Sequence, residues 1–109
     1  MKRYCLALDL KDDQKLIAEY EAYHVHGRPE IKRSITDSGI LNMEIYRISN
    51  RLFMIMDTSD DFSFEKKAHM DASNPNVKEW EELMWKYQQA LPTALPGEKW
   101  LLMKNIFQL

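Results

Sequence analysis

The sequence predicts an α+β protein in which residues 1–109 form one domain around an antiparallel β-sheet. The first observation is length, because 109 residues match a single domain of roughly 100–200 residues. The second is composition, since 45% hydrophobic and 29% charged residues are ordinary values for a globular protein. The third is pattern: strand-like runs and amphipathic segments follow one another, and only 3 glycines and 4 prolines interrupt them.

Charge and cysteine content narrow the class of protein. The 15 basic and 17 acidic residues give a net charge of −2 without a basic patch, which argues against nucleic acid as a partner. The single cysteine, Cys5, excludes an internal disulfide and a cysteine-rich zinc site. The sequence shows neither a secretion signal nor an apolar stretch of about 20 residues. These features predict a cytoplasmic protein without a membrane partner.

The first third of the chain predicts one strand followed by two helices. Residues 4–10, YCLALDL, form a short apolar run that is typical of a buried strand. Asp12 and Asp13 offer side chains that cap the start of a helix, and Gly27 is expected to end it. Pro29 suits the first turn of a second helix. The inward-facing residues of the first helix recur at three- and four-residue spacings: Leu16, Ile17, Tyr20, Tyr23 and His24.

Two further strand-like runs predict a β-hairpin. Residues 40–46 and 52–57 flank the tripeptide SNR at 49–51, and asparagine tolerates the positive φ of a tight turn. Every residue of 52–56 is apolar, whereas a strand with one face in water would alternate. Helices can cover one face of so small a sheet. We therefore expect the other face to meet a second sheet or another subunit, which predicts a homodimer.

The last third predicts two helices and a final strand. Residues 60–71 are polar and compatible with a helix, and residues 74–76, NPN, form a turn. The next helix is expected to run to Pro92, and Trp100 to Phe107 form the last strand. The apolar face of that helix consists of Trp80, Leu83, Met84, Tyr87 and Leu91. The resulting order, β-α-β-β-α-β with an additional helical piece, matches a ferredoxin-like split βαβ fold with helices on one face of an antiparallel sheet.

Tyr20 and His24 are the best candidates for chemistry. They lie four residues apart on one helix and therefore share a face. A phenol beside an imidazole holds a polar substrate and moves a proton near neutral pH. From spacing alone, a half-buried Tyr and His at a helix end is the more common explanation. His26 offers a second imidazole, but no third metal ligand is near it and His69 lies in a polar helix, so no metal site is predicted.

Trp85 is the other residue that needs an explanation. It projects about 100° away from Met84, and thus away from the predicted core side of its helix. An indole in that position is expected to meet a sugar ring or to pack at an interface. The chain has no glycine-rich phosphate loop, dinucleotide fingerprint or G-x-S-x-G motif, so no cofactor is predicted.

Three segments together resemble the L-rhamnose mutarotase family, which includes L-fucose mutarotases. Residues 19–31, EYEAYHVHGRPEI, resemble the family segment E-Y-x-x-x-H-x-x-x-W-P-E-[IL]. Residues 42–46, NMEIY, resemble its N-Y-x-I-Y strand. Residues 84–87, MWKY, resemble the start of its W-W-x-Y-M segment. With a strand at each end, the resemblance covers nearly the whole chain.

The resemblance implies a function and an assembly. Family members pair their sheets into a dimeric α/β-barrel-like assembly and interconvert the α and β anomers of a 6-deoxy-L-hexose without cofactor or metal. By this resemblance His24 matches the catalytic acid/base, and Tyr20 and Trp85 match substrate-binding positions. The monosaccharide substrate is therefore expected to be L-rhamnose or L-fucose.

Three residues depart from the family pattern, and they leave the identity of the sugar open. Arg28 and Met84 each replace a tryptophan, and Met43 replaces a tyrosine. Two other functions remain compatible with the residues alone. One is a dimeric small-ligand or haem-handling oxygenase, with His24 or His26 as an axial ligand. The other is a non-catalytic binding module with Trp85 in a protein interface.

Overall fold

A computed structural model describes all 109 residues and has the predicted architecture, an antiparallel sheet with helices on one face. The sheet contains five strands, and four helices pack against it. No helix combines the length and the apolar composition that crossing a bilayer requires. The elements in chain order are β1 (Lys2–Leu10), α1 (Gln14–His26), α2 (Pro29–Asp37), β2 (Ile40–Ile48), β3 (Arg51–Thr58), α3 (Phe64–Ala72), α4 (Pro75–Trp85), β4 (Gln88–Gln89) and β5 (Leu101–Leu102).

Strand β1 lies in the centre of the sheet, whose order is β2-β3-β1-β4 with β5 also paired to β1. All pairs are antiparallel, and β1 pairs with β3 from Lys2 opposite Thr58 to Asp9 opposite Arg51. Its other edge is shared, because β4 pairs near Leu10 and β5 pairs near Leu6. The predicted hairpin between β2 and β3 is confirmed, but the positive φ of its turn, 52°, belongs to Ser49 and not to the asparagine that was expected to carry it.

The two faces of the sheet follow the two-residue period of a β-strand. On β1, Leu6, Leu8 and Leu10 are buried under the helices, whereas Cys5 and Ala7 point to the opposite face and are half-buried. Two apolar clusters join the sheet to the helical layer. One is built around Leu6, Ile40, Met54, Met56 and Phe62, and the other around Leu10, Tyr20, Leu52, Met84 and Tyr87.

The opposite side, which we call the open sheet face, carries no helix. Its apolar residues are Cys5, Ala7, Tyr46, Ile48, Phe53 and Ile55. Two cross-strand ion pairs border it, with Arg3 Nε 2.8 Å from Asp57 Oδ1 and Arg51 Nε 2.7 Å from Asp9 Oδ1. The hydrogen bond and charge of Arg3 lower the pKa of Asp57 below its ordinary value. Within one protomer β3 is therefore covered on one side only.

The helix predicted to run to Pro92 ends earlier, at Trp85, so its predicted length is wrong. Lys86 caps it, and the chain then turns so that Gln88 pairs with Leu10 of β1. Tyr87 is buried as the pattern requires, but it reaches the core from the turn before a strand. The apolar periodicity predicted the wrong end for α4 because, after Trp85, backbone hydrogen bonds to the free edge of β1 replace those of another helical turn.

The predicted final strand over residues 100–107 is also too long, because only Leu101–Leu102 pair with β1. The N–H of Met103 still donates to the carbonyl of Cys5 at 2.7 Å, and the chain then leaves the sheet. Ile106 and Phe107 are 88% and 78% exposed. Their apolar side chains find no surface in the protomer to pack against, so the strand is not continued.

Candidate active site

A cavity of about 800 Å³ lies between the sheet and the helical layer. That volume is within the range of small-molecule sites, roughly 300–1,000 Å³. Its walls are mainly apolar, and the side chains important for its chemistry come from α1, α4, β2, β4 and the loops that follow α1 and precede β5. These side chains are Tyr20, His24, Arg28, Met43, Trp80, Met84, Gln88, Lys99 and Trp100.

Helix α1 positions Tyr20 and His24 through well-defined ends. The predicted cap is confirmed at Asp13, whose Oδ1 accepts from the N–H of Leu16 at 3.0 Å. Gly27 closes the other end with a φ of 65°, and its N–H donates to the carbonyl of Tyr23. A Cβ at Gly27 would lie 2.9 Å from Cε of Lys32. The last turn of α1, which carries His24, therefore depends on glycine at this position.

The orientation of the His24 ring is fixed by its own helix. Its Nδ1 lies 2.9 Å from the carbonyl oxygen of Tyr20. A carbonyl oxygen only accepts hydrogen bonds, so Nδ1 carries the proton and Nε2 is the nitrogen left to exchange one. The imidazole is exposed at the cavity wall, within reach of a solute. This arrangement leaves one imidazole nitrogen free to exchange a proton with a solute in the cavity.

Tyr20 lies directly beneath this ring. The two ring centroids are 4.4 Å apart, and Tyr20 is only 3% exposed. Burial raises the pKa of the Tyr20 phenol, while the hydrogen bond from Gln88 acts in the opposite direction. The phenol is consequently neutral at physiological pH. Because its oxygen accepts from Gln88 Nε2 at 3.4 Å, its own proton is available to another acceptor.

Trp80 connects the imidazole to a cation. Its ring meets that of His24 edge-on at a centroid distance of 5.6 Å. The guanidinium carbon of Arg28 lies 5.2 Å from the Trp80 ring centroid, and Arg28 Nη1 is 3.6 Å from Glu79 Oε1. A guanidinium over an indole is a favourable cation–π arrangement. The sequence left open whether Arg28, Met43 and Met84 face the site, and all three line the cavity.

Two lysines on the cavity wall are neutralised by neighbouring carboxylates. Lys67 Nζ lies 2.5 Å from Asp71 Oδ2, one turn further along α3. Lys99 Nζ lies 2.9 Å from Glu81 Oε2 on α4. All four of these residues line the cavity. The charges of these two lysines are thus balanced by carboxylates on the cavity wall, and the lining is otherwise mostly apolar.

Trp85 lies outside the residues that line the cavity. Its ring is 39% exposed, and Lys99 Nζ sits 4.9 Å from its centroid. Lys99 therefore separates Trp85 from the cavity in the protomer. The predicted contact between Trp85 and the substrate stays a prediction.

Three cavity residues escaped the sequence analysis as site residues. Trp80 carries a pattern signal, since it starts the apolar face of α4, but the same signal is typical of a core residue. Gln88 and Trp100 gave no local signal at all. Their positions in the site follow from the pairing of β4 and β5 with β1, which is a tertiary contact.

The remaining histidines lie away from this site. His26 ends α1 and His69 lies in α3, and neither lines the cavity. No three side chains of His, Cys, Asp or Glu lie close enough together to hold a metal ion.

The fold and the site together define a class of protein: a ferredoxin-like α+β domain that presents an imidazole and a phenol to a small-molecule cavity. Comparison with known families is more specific, because the family model described as L-rhamnose mutarotase matches residues 3–109. The chain therefore belongs to the L-rhamnose mutarotase family.

Individual relatives agree with this assignment. The chain is 44% identical to an L-fucose mutarotase of Xanthomonas campestris pv. campestris, covering 100% of this chain and 89% of that protein. It is 34% identical to a UPF0734 protein of Dictyostelium discoideum, covering 99% and 90% of the two chains.

Solved structures support the fold. An L-rhamnose mutarotase from Formosa agariphila superposes with a TM-score of 0.73 at 24% identity, covering 100% of this chain and 99% of that one. The tetracenomycin F2 cyclase of Streptomyces glaucescens shares the fold at a TM-score of 0.64 and 14% identity, with the same coverage.

Proposed function

We propose that this protein is a mutarotase that interconverts the α and β anomers of a 6-deoxy-L-hexose, with His24 as the general acid/base. The observation that carries the proposal is the fixed ring of His24, whose Nδ1 is held by the Tyr20 carbonyl so that Nε2 alone exchanges protons at the cavity. Among side chains, an imidazole is the one best suited to give and to take a proton near neutral pH.

The proposed reaction needs one proton donor that later becomes an acceptor. Protonated Nε2 of His24 gives its proton to the ring oxygen, and the bond between C1 and the ring oxygen breaks. The anomeric hydroxyl, now on a protonated aldehyde, returns its proton to Nε2. The two oxygens are attached to the same carbon, so a single nitrogen reaches both. The aldehyde rotates about its bond to C2, and the reverse steps close the ring on the other face.

Tyr20 is proposed to bind the substrate next to His24. Its phenol stays neutral because burial raises its pKa, and its proton is free to donate to a sugar oxygen. Trp85 is proposed as a second substrate contact on the strength of the family resemblance. Its indole reaches the sugar only if the Lys99 side chain that covers it moves aside.

L-fucose is the proposed substrate ahead of L-rhamnose. The support is the 44% identity, over the whole chain, to a protein named as an L-fucose mutarotase. The replacement of two tryptophans and a tyrosine of the family pattern by Arg28, Met84 and Met43 gives the cavity a different wall. A panel that includes both sugars therefore tests the substrate as well as the reaction.

A homodimer formed through the open sheet face is also proposed. The half-buried side chains of Cys5, Ala7, Phe53 and Ile55 form a continuous apolar surface in the middle of this face. Two ion pairs neutralise the charges at its ends, and Glu44 beside Ile55 accepts a hydrogen bond from the Tyr46 hydroxyl. Sheets that pack face to face bury such side chains between them, and the result is the barrel-like assembly expected from the sequence.

The reaction is tested by NMR exchange between the two anomeric protons of L-fucose and of L-rhamnose. Saturation of one anomeric signal is expected to reduce the other when the wild-type protein is present, and the transfer is expected to vanish in His24→Ala. His26→Ala is the matched control, because this imidazole lies on the same helix but outside the cavity. Equal exchange rates with and without protein, for both sugars, would contradict the proposal.

A further inference from the structure

Gln88 holds a buried polar atom that no part of the protein satisfies. The residue is 7% exposed, and its side chain lines the same cavity as Tyr20 and His24. Its Nε2 donates to Tyr20 Oη at 3.4 Å. Its Oε1 has no hydrogen-bond partner, and it is the only buried side-chain nitrogen or oxygen in the chain without one. Buried polar groups are nearly always paired, so this oxygen calls for a partner from outside.

The backbone prevents Gln88 from turning this group to solvent. Gln88 lies in β4, opposite Leu10 of the central strand, and the N–H of Lys11 donates to the adjacent carbonyl of Tyr87 at 2.8 Å. Leu10 is on the helix-covered face of the sheet, so Gln88, its partner in the pairing, points to the same face, where it lines the cavity. The carboxamide is thus held on the interior wall by the sheet itself.

The carboxamide fits a hydroxyl group in either of its two orientations. As described, Oε1 accepts and Nε2 is engaged by Tyr20. If the amide is rotated by half a turn, the oxygen faces Tyr20 and the amino group is left without an acceptor. Since a hydroxyl both donates and accepts, it satisfies the free atom in both cases. A polyhydroxylated ligand is therefore the natural complement of this site.

We propose that Gln88 is a substrate-binding and specificity-determining residue, whose carboxamide forms a hydrogen bond with a sugar hydroxyl other than the anomeric one. This inference rests on the proposed function, because it takes the ligand to be a 6-deoxyhexose. His24 is exposed and Gln88 is buried, so the sugar lies with C1 toward the imidazole and the hydroxyl in question deeper in the cavity. A site that hydrogen-bonds a hydroxyl discriminates strongly against the analogue that lacks it.

The same amide directs Tyr20. In the orientation described, in which Nε2 donates to Tyr20 Oη, Gln88 occupies an acceptor position of the phenol and leaves the phenolic proton for the ligand. One residue therefore contributes two groups to sugar recognition, its own carboxamide and an oriented phenol.

The test measures dissociation constants by NMR titration for L-fucose and its 2-, 3- and 4-deoxy analogues. Wild-type protein is expected to bind one of these analogues about tenfold more weakly than L-fucose, the usual scale of one lost hydrogen bond. Gln88→Met, which keeps the side-chain length, is expected to bind L-fucose about tenfold more weakly than the wild-type protein does. It is expected to bind the affected analogue as tightly as the wild-type protein binds it. Gln89→Met is the matched control, because Gln89 is exposed on the same strand, and it is expected to behave as wild type.

The outcomes separate this inference from the proposed function. If Gln88→Met keeps the wild-type ranking of the analogues, the inference is wrong, even where the wild-type protein catalyses anomer exchange. If the wild-type protein catalyses no exchange, the proposed function fails, and the binding data still decide the role of Gln88. Should Gln88→Met not fold, Gln88→Glu replaces it; this variant keeps an acceptor oxygen and is expected to retain the discrimination, and its loss would overturn the inference.

Discussion

The imidazole of His24 donates from Nδ1 to the carbonyl oxygen of Tyr20, one helical turn earlier, at 2.9 Å. This contact joins the two residues of the proposed site through the backbone as well as through their rings, which pack against each other at a tilt. It holds the imidazole in one tautomer before any ligand binds. The helix thus supplies the orienting partner that other acid–base sites obtain from a separate carboxylate.

His24→Asn is expected to separate orientation from proton transfer. The Asn amide reproduces the Nδ1 donor to the Tyr20 carbonyl but has no atom at the position of Nε2. We expect anomer exchange to fall by about 10²–10⁴-fold, the range of general acid–base catalysis, with the melting temperature close to that of wild type. NMR exchange and thermal unfolding measure the two quantities. An Asn variant with wild-type exchange would show that Nε2 carries no proton in the reaction.

Gly27→Ala is expected to disturb the end of α1. The alanine would adopt a φ of 65°, and its Cβ would approach Lys32 Cε to 2.9 Å. With a ψ of 175°, Gly27 occupies a backbone region that is essentially restricted to glycine, and an L-residue there costs roughly 1–3 kcal/mol. Gly97→Ala is the matched control, since Gly97 has a φ of 86° but no atom within 4 Å of the added Cβ.

Urea unfolding is expected to show a larger loss of stability for Gly27→Ala than for Gly97→Ala, because Gly27 ends a packed helix with a backbone conformation that is essentially restricted to glycine. The contact with Lys32 adds little, since Lys32 Cε is near the end of a flexible side chain. Anomer exchange is expected to decrease in Gly27→Ala alone, because the last turn of α1 carries His24. Equal losses in both variants would mean that the end of α1 is no more sensitive to the substitution than the loop at Gly97.

Two buried tyrosines predict sensitivity to high pH. Burial raises the pKa of Tyr87 to about 12, with a contribution from Glu19, and burial also raises that of Tyr20. The folded state therefore holds these protons more tightly than the unfolded state, in which a tyrosine titrates near pH 10. The stabilisation is complete below pH 10 and is lost as the pH rises from there towards 12.

The measurement is urea unfolding at several values between pH 8 and 12, with tyrosinate absorbance followed in parallel. Tyr87→Phe is expected to flatten the decline in stability, because it removes one of the groups whose pKa is raised in the folded state. Tyr4→Phe serves as the control, because it removes a phenol that packs against Phe62 in the other apolar cluster. If Tyr87 ionised in the folded protein near pH 10, the tyrosinate absorbance of the wild-type protein would exceed that of Tyr87→Phe before unfolding began.

Phe53→Lys is expected to convert the proposed dimer into a monomer. Phe53 lies in the middle of the open sheet face, where an ammonium group would have to be buried between two sheets without a partner. Ala72→Lys adds the same group to the exposed surface of α3 and is expected to leave the dimer intact. Analytical ultracentrifugation measures the mass of each variant. A wild-type protein that sediments as a monomer at all concentrations would refute the assembly.

Local signals predicted the elements that local interactions determine. The cap at Asp13, the end of α1 at Gly27 and the turn at Ser49 each depend on residues within a few positions of one another. The same holds for the pairing of Tyr20 with His24, which one turn of helix brings together. These features were predicted correctly because the information that specifies them lies in a short stretch of sequence.

The features that failed depend on distant parts of the chain. The end of α4 at Trp85 is set by the edge of β1, some seventy-five residues earlier in the sequence. The same pairing turns Gln88 into the cavity, which no pattern around residue 88 indicates. Trp85 is a further example. The sequence predicted that it points away from the core side of its helix, but not that the Lys99 side chain, which comes from a distant loop, lies over its ring.

Both ends of the segment between β4 and β5 are hydrogen-bonded to a single strand, β1. Gln88 stands at one end of that segment, and Trp100 stands at the other. Because β1 holds both ends of this loop, a longer loop would cost little additional free energy, since the entropy of loop closure grows only slowly with length. Insertions in this stretch would reshape the cavity wall next to Lys99 and Trp100 while the buried carboxamide of Gln88 keeps its place, so one part of the cavity can diversify while another stays constant.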